Sequence, residues 1–228
     1  MTVAVSTRPR PATRDVALIA HRPWVLPAVA ATIGWATWPV AASIGGHGHV
    51  HHLLVTSAMT LAMMGPLGLP VCVAASRSSL WATSGQAVVV AFATFVAAWI
   101  AVGGALHVGT ELIIAATPTG AVAMGLALWC AVDTASRRRD RRLAACAVSR
   151  PLLPQAPLSG AIDLGATAAA RCVATCWAPM ALAVAYPALG VPVSAAILLE
   201  RFVNPRPRWL LTVGFGVVAI GVAVITWS

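Results

Sequence analysis

Seven apolar runs constrain this chain more than any other feature of its sequence. They cover about Trp24 to Ile44, Leu53 to Ala75, Ala87 to Leu106, Leu112 to Ala131, Leu164 to Leu189, Pro192 to Val203 and Trp209 to Trp227. A helix needs about 20 apolar residues to cross a hydrocarbon core of about 30 Å, and all but the run from Pro192 approach or exceed that length. Between the runs there is too little charge to cover a soluble domain: 9% of the 228 residues are charged, against about 25% in soluble proteins. Each charge placed at a bilayer centre costs about 2.5–3.5 kcal/mol on insertion scales, so spans must lack it. The sequence therefore predicts an all-α, polytopic transmembrane helix bundle of about seven spans. The first run has the length of a retained span, and Pro27 and Pro39 interrupt it, unlike the short apolar segment of a secretory signal peptide.

Charge then sets the orientation. With the N-terminus placed in the cytoplasm, alternate connections receive every one of the 15 basic residues, all Arg, except Arg171. These are the tail over 1–23, the turn at Arg77, the basic loop over 133–157 and the segment Arg201–Arg208. Arg171 falls near the cytoplasmic end of the fifth run. This is the positive-inside pattern with no dissenting loop. It predicts an Arg/Pro-rich cytoplasmic tail followed by one transmembrane helical domain over 24–228. The net charge of +9 is thereby assigned to topology and anionic lipid head groups, with no nucleic-acid partner. The absence of Lys and the abundance of Ala point to a GC-rich bacterial genome, and hence to the inner (plasma) membrane.

Three clusters carry soft-ligand chemistry. Gly46-His47-Gly48-His49-Val50-His51-His52 gathers four imidazoles in a segment read as an external loop. Neutral imidazole is a ligand for copper, zinc and nickel, although a solvated His-rich loop gives the same pattern. Next, His52, Thr56, Met59 and Met63 recur at helical spacing on one face. Thioether sulfur favours Cu(I), while Met at this spacing also fits ordinary core packing. Finally, Cys172, Cys176 and Met180 are spaced one helical turn apart. Two thiolates and a thioether suit Cu(I) best and zinc less well, and two small buried thiols inside a bundle fit equally. Glu200 could pair with Arg171 or bind an ion, but reads first as a snorkelling interface residue; Asp133 and Asp163 read as solvated flanks of the basic loop, and His107 with Glu111 as part of an external loop. The five cysteines, odd in number, do not form a disulfide framework. No metalloprotease, phosphate-loop or Ser-His-Asp pattern is present, so the chain does not read as an enzyme.

Taken together, Met59-x-x-Ala62-Met63-Met64-x-Pro66-x-x-x-Pro70, Cys172-x-x-x-Cys176-Trp177-x-x-Met180 and the closing pair Glu200-Arg201 resemble the DUF2182 family of predicted metal-binding integral membrane proteins. Thr175 stands where that family carries an additional cysteine. The resemblance spans roughly 53–225 and implies a membrane metal-handling protein. Copper is the expected ion and zinc the second choice. External imidazoles (His47, His49, His51, His52) would capture it, Met59 and Met63 would pass it inward, and Cys172, Cys176 and Met180 would hold it. The role would be uptake, chaperoning or delivery to a membrane enzyme, with a metallochaperone or other membrane subunits as partners. The competing reading is a non-catalytic accessory subunit whose Gly- and Ala-rich spans pack against partner helices. A thiol redox enzyme is a third, unsupported by any cofactor motif.

Overall fold

A computed structural model describes residues 21–44, 49–78, 84–117, 119–147, 157–203 and 208–227. Among these residues the fold is all helical: α1 (Val25–Ser43), α2 (His49–Met64), α3 (Leu69–Ser78), α4 (Ser84–Ala116), α5 (Thr119–Ala135), α6 (Arg137–Ala147), α7 (Pro157–Ala185), α8 (Gly190–Phe202) and α9 (Arg208–Trp227). Three helices are long and apolar enough to cross a membrane: Val25–Ser43, Ser84–Ala116 and Leu158–Ala185. The pair Leu53–Met64 and Pro66–Arg77 makes a fourth if it is taken as one broken span, bent by 49°. Gly120–Ala135 and Trp209–Gly221 are shorter apolar helices.

Prolines set most of the breaks. Pro66 has no N–H to donate to the carbonyl four residues earlier, so α2 stops at Met64 although Gly65 keeps helical angles (φ −50°, ψ −53°), and a 3-10 turn, Pro66–Gly68, leads into α3. Pro187 ends α7 in the same way, with Tyr186 at φ −132°, ψ 85° and a second 3-10 turn, Pro187–Leu189, before α8. Pro157 opens α7, where a missing N–H costs nothing.

The main boundary correction concerns α4. The sequence suggests a loop between Leu106 and Leu112, but α4 runs unbroken for 33 residues, and His107 and Glu111 are helical. Neither Gly nor Pro interrupts the chain between Gly109 and Pro118, so the helix continues until Thr117 is constrained by the proline that follows it. At 1.5 Å per residue α4 is about 50 Å long, well beyond the hydrocarbon thickness. Within the basic segment read as a loop, Arg137–Ala147 is likewise a helix.

The most extensive packing joins α4 to α7, α5 to α9 and α1 to α2. Small residues let the backbones approach closely at these contacts. A Cβ on Gly165 would lie 2.4 Å from the Ala91 carbonyl oxygen of α4, and one on Gly34 2.3 Å from the Ala62 nitrogen of α2. Trp99, Phe95, Met63, Met180 and Leu182 are fully buried and fill the centre.

Candidate metal centre

The candidate centre begins with the spacing on α7. Cys172, Cys176 and Met180 occupy successive turns; Cys176 and Met180 are buried and Cys172 is half-buried. The two sulfurs stand 3.9 Å apart. A metal–thiolate bond is about 2.3 Å, so one ion bridging sulfurs at the observed 3.9 Å would see them at about 115°. That angle leaves room for a third donor; Met180, a buried thioether, lies one turn beyond Cys176 along α7.

Around this pair lies a polar cluster that the sequence does not announce. Pro179 has no N–H, so the carbonyl of Thr175, four residues earlier, loses its helical donor. Arg139 of α6 takes that carbonyl, its Nη1 donating to Thr175 O at 2.9 Å. The same guanidinium donates from Nε and Nη2 to the two oxygens of Glu200 on α8, both at 2.6 Å. Its Nη1 also donates to Asp133 Oδ2 on α5 at 2.5 Å. One side chain thus ties α5, α6, α7 and α8 together while only 2% exposed. Burial opposes its charge, but the hydrogen bonds and charge of Glu200, then of Asp133, outweigh that and push the guanidinium pKa further up. Arg139 is therefore permanently cationic.

Other groups close the cluster. Arg142 Nη1 donates to Ala174 O at 3.2 Å and lies 3.5 Å from Asp133 Oδ1. Arg201 donates to the carbonyls of Leu143 and Cys146 at 3.3 and 3.1 Å, capping the last turn of α6. The Thr175 hydroxyl donates back to Cys172 O at 2.8 Å, and its oxygen lies 3.5 Å from Cys176 Sγ and 3.9 Å from Cys146 Sγ. Cys146 therefore borders the α7 thiols, with Thr175 between them. Arg201 lies within Coulombic range of Cys172, and Arg139 within that of Cys176.

Two expectations are overturned here. Glu200 is not a snorkelling residue but a buried one, 7% exposed and gripped by Arg139. Asp133 is not solvated: its side chain is 12% exposed and shared by two arginines. Asp163 is exposed, as expected. One sequence signal does single out Arg139. Among the arginines of α6 it alone shares the i, i+4, i+7 face with Leu143 and Cys146, while Arg137, Arg138 and Arg141 are exposed.

The remaining expected ligands lie elsewhere. Met59 and Met63 are buried on α2, 3% and 1% exposed, on a helix that packs mainly against α1 and α4. His49, His51 and His52 belong to the first turn of α2 rather than to a loop. His51 is half-buried; the side chains of His49 and His52, and all of His47, lie outside the described residues. Among the described residues no three His, Cys, Asp or Glu side chains converge to hold a metal ion. On α7 the structure brings together the two thiols of Cys172 and Cys176.

No protein of curated function and no solved structure matches the chain. Residues 53–224, from within α2 to within α9, match the family model described as PpoB2, copper chaperone, and the chain belongs to that family.

Proposed function

We propose that the protein is a multi-pass plasma-membrane copper chaperone that holds Cu(I) on Cys172, Cys176 and Met180 and yields it to a partner. The carrying observation is the pair of α7 sulfurs 3.9 Å apart, with a buried Met180 on the next turn, in a chain of a copper-chaperone family. Sulfur donors select Cu(I) over harder ions, and zinc is the weaker competitor for the same thiolates. His47, His49, His51 and His52 supply imidazoles for capture, and Met59 with Met63 supplies thioethers along α2 for passage inward. The recipient is a copper-dependent membrane enzyme or a second copper carrier. Seven passes with a cytoplasmic N-terminus are supported by the distribution of Arg, and they put the C-terminus on the opposite side from the N-terminus.

The test is metal content. The full chain is purified in mild detergent under reducing conditions, loaded with Cu(I), desalted and measured by elemental mass spectrometry. About one copper per chain is expected, lost in the Cys172→Ser/Cys176→Ser variant. A parent that retains no copper after loading, or a double variant that retains as much as the parent, overturns the assignment.

A further inference from the structure

The sulfur site is least covered at Cys172. Cys176 and Met180 are buried, whereas Cys172 is half-buried and is followed by exposed Ala174. The element that borders this side is α6. Its half-buried Cys146 places Sγ 3.9 Å from Thr175 Oγ1, and its Arg142 Nη1 donates to Ala174 O at 3.2 Å. Cys146 also lies within Coulombic range of Cys172. Copper that reaches or leaves Cys172 without unpacking the bundle therefore passes beside α6.

This helix has two unlike faces. Arg139, Leu143 and Cys146 turn toward the bundle, and Arg139 and Leu143 are buried there. Arg137, Arg138 and Arg141 are exposed, and at about 100° per residue they cluster roughly opposite that inner face. Arg142 sits at the boundary, half-buried, and half-buried Asp140 is the one acid of the helix. A helix that lies in a membrane surface offers an apolar face to the acyl chains. The one large apolar side chain of α6, Leu143, is already taken up by the bundle, so its outer face is purely cationic. The positive-inside rule asks for arginines on this side of the membrane. It does not ask for a helix that holds three of them beside the least covered thiol.

We infer that the exposed arginine face of α6 is the docking surface for a soluble, negatively charged Cu(I) carrier that exchanges copper with the sulfur site at Cys172. The inference rests on the Cu(I) reading of the α7 sulfurs and deepens it by naming the kind of partner. Cu(I) on two thiolates carries one net negative charge, so a thiolate carrier meets these cations with complementary charge at its own metal site. Such complementarity raises encounter rates by about 10–1,000-fold and fixes orientation. In the exchange a carrier sulfur bonds to Cu(I) as the bond from Cys172 Sγ breaks. The copper stays Cu(I), and the proton released by the carrier thiol is taken up by Cys172.

The probes are two Cu(I) chelators of different charge, anionic bathocuproine disulfonate and uncharged neocuproine. The full chain, loaded with Cu(I) in an uncharged detergent, is mixed with each, and the rate of copper removal is read from the absorbance of the chelate. At an ionic strength of about 0.01 M the Debye length is about 30 Å. There Arg137→Gln/Arg138→Gln/Arg141→Gln should slow removal by the disulfonate about fivefold or more and leave removal by neocuproine unchanged. The difference should shrink at about 0.15 M, where the Debye length is about 8 Å. Arg22→Gln/Arg77→Gln, which removes exposed arginines outside α6, should change neither rate. A triple variant as fast as the parent with the disulfonate overturns the inference. So does equal slowing with both chelators, which marks damage to the sulfur site rather than lost steering. An anionic membrane as the true occupant has its own signature: the difference between parent and variant in phosphatidylcholine nanodiscs is lost once phosphatidylglycerol is included, and that result also overturns the inference. A parent that retains no Cu(I) removes the sulfur site itself, and this inference falls with it; a parent that retains Cu(I) but shows no charge dependence loses this inference alone.

Discussion

Replacing Arg139 with Met should be among the most destabilising single changes in this bundle. Met keeps much of the apolar stem but removes the guanidinium that bonds Glu200 twice at 2.6 Å, Asp133 at 2.5 Å and Thr175 O at 2.9 Å. Glu200 is then left as a charge 7% exposed without this cation. Removing one partner of a buried ion pair costs about 3–5 kcal/mol. The Coulomb scale agrees: one unit-charge pair about 4 Å apart at an effective dielectric near 20 is worth about 4 kcal/mol. In soluble chains of 150–250 residues each kcal/mol moves Tm by about 2–4 °C. A bundle that keeps its helices on unfolding in detergent has a smaller unfolding entropy, so a loss of about 6 °C is a lower bound. The assay is thermal unfolding of purified protein, followed by size-exclusion fluorescence and near-ultraviolet circular dichroism. The decisive comparison is Arg139→Met/Glu200→Gln. If the damage comes from an orphaned charge, neutralising that charge should recover about half of the loss or more. A single variant within about 2 °C of the parent, or a double variant no better than the single, would refute the reasoning.

Two further outcomes follow from packing and ligand chemistry. Gly165→Ala drives a methyl to 2.4 Å from the Ala91 carbonyl oxygen and 2.9 Å from Thr94 Cβ, an overpacking cost of about 1–3 kcal/mol; the same change at Gly125, whose Cβ would meet nothing within 4 Å, should leave the melting curve within about 2 °C of the parent. Met180→Leu conserves volume at a fully buried position and should cost less than about 1.5 kcal/mol, yet it should weaken Cu(I) binding about tenfold in competition with a Cu(I) chelator, which identifies the thioether as a donor rather than a core filler.

What the sequence reveals and what it hides divide along a physical line. Hydropathy is a property of consecutive residues, so the apolar helices can be read directly, as can the break at Gly65-Pro66, where one residue lacks a donor. The i, i+4 spacing of Cys172 and Cys176 is equally local, and helix geometry alone brings the sulfurs together. The loop expected around His107 fails because polar residues do not by themselves end a helix, and α4 runs through Gly103, Gly104 and Gly109 as well; the next residue that lacks a donor is Pro118. Glu200 and Asp133 are misread for a different reason. Their partner lies in another helix, 61 residues from Glu200, and charge counted along the chain sorts arginines by side without saying which one turns inward.

The position of that inward arginine connects stability to the candidate site. Buried ion clusters are poor sources of net stability, since desolvation offsets most of the attraction. What this cluster does is local: Pro179 opens α7 one residue before Met180, Arg139 fills the opened carbonyl of Thr175, and Thr175 packs against Cys176 and Cys146. The turn that presents the thiols is thereby fixed by contacts from α6, whose Arg139 is itself held by Asp133 of α5 and Glu200 of α8, where a proline would otherwise loosen it. The charges also balance on the proposed reading. Arg139, Arg142 and Arg201 against Asp133 and Glu200 leave one net positive charge around the site. Cu(I) held by two thiolates carries one net negative charge, which a low-dielectric interior tolerates only beside such a surplus.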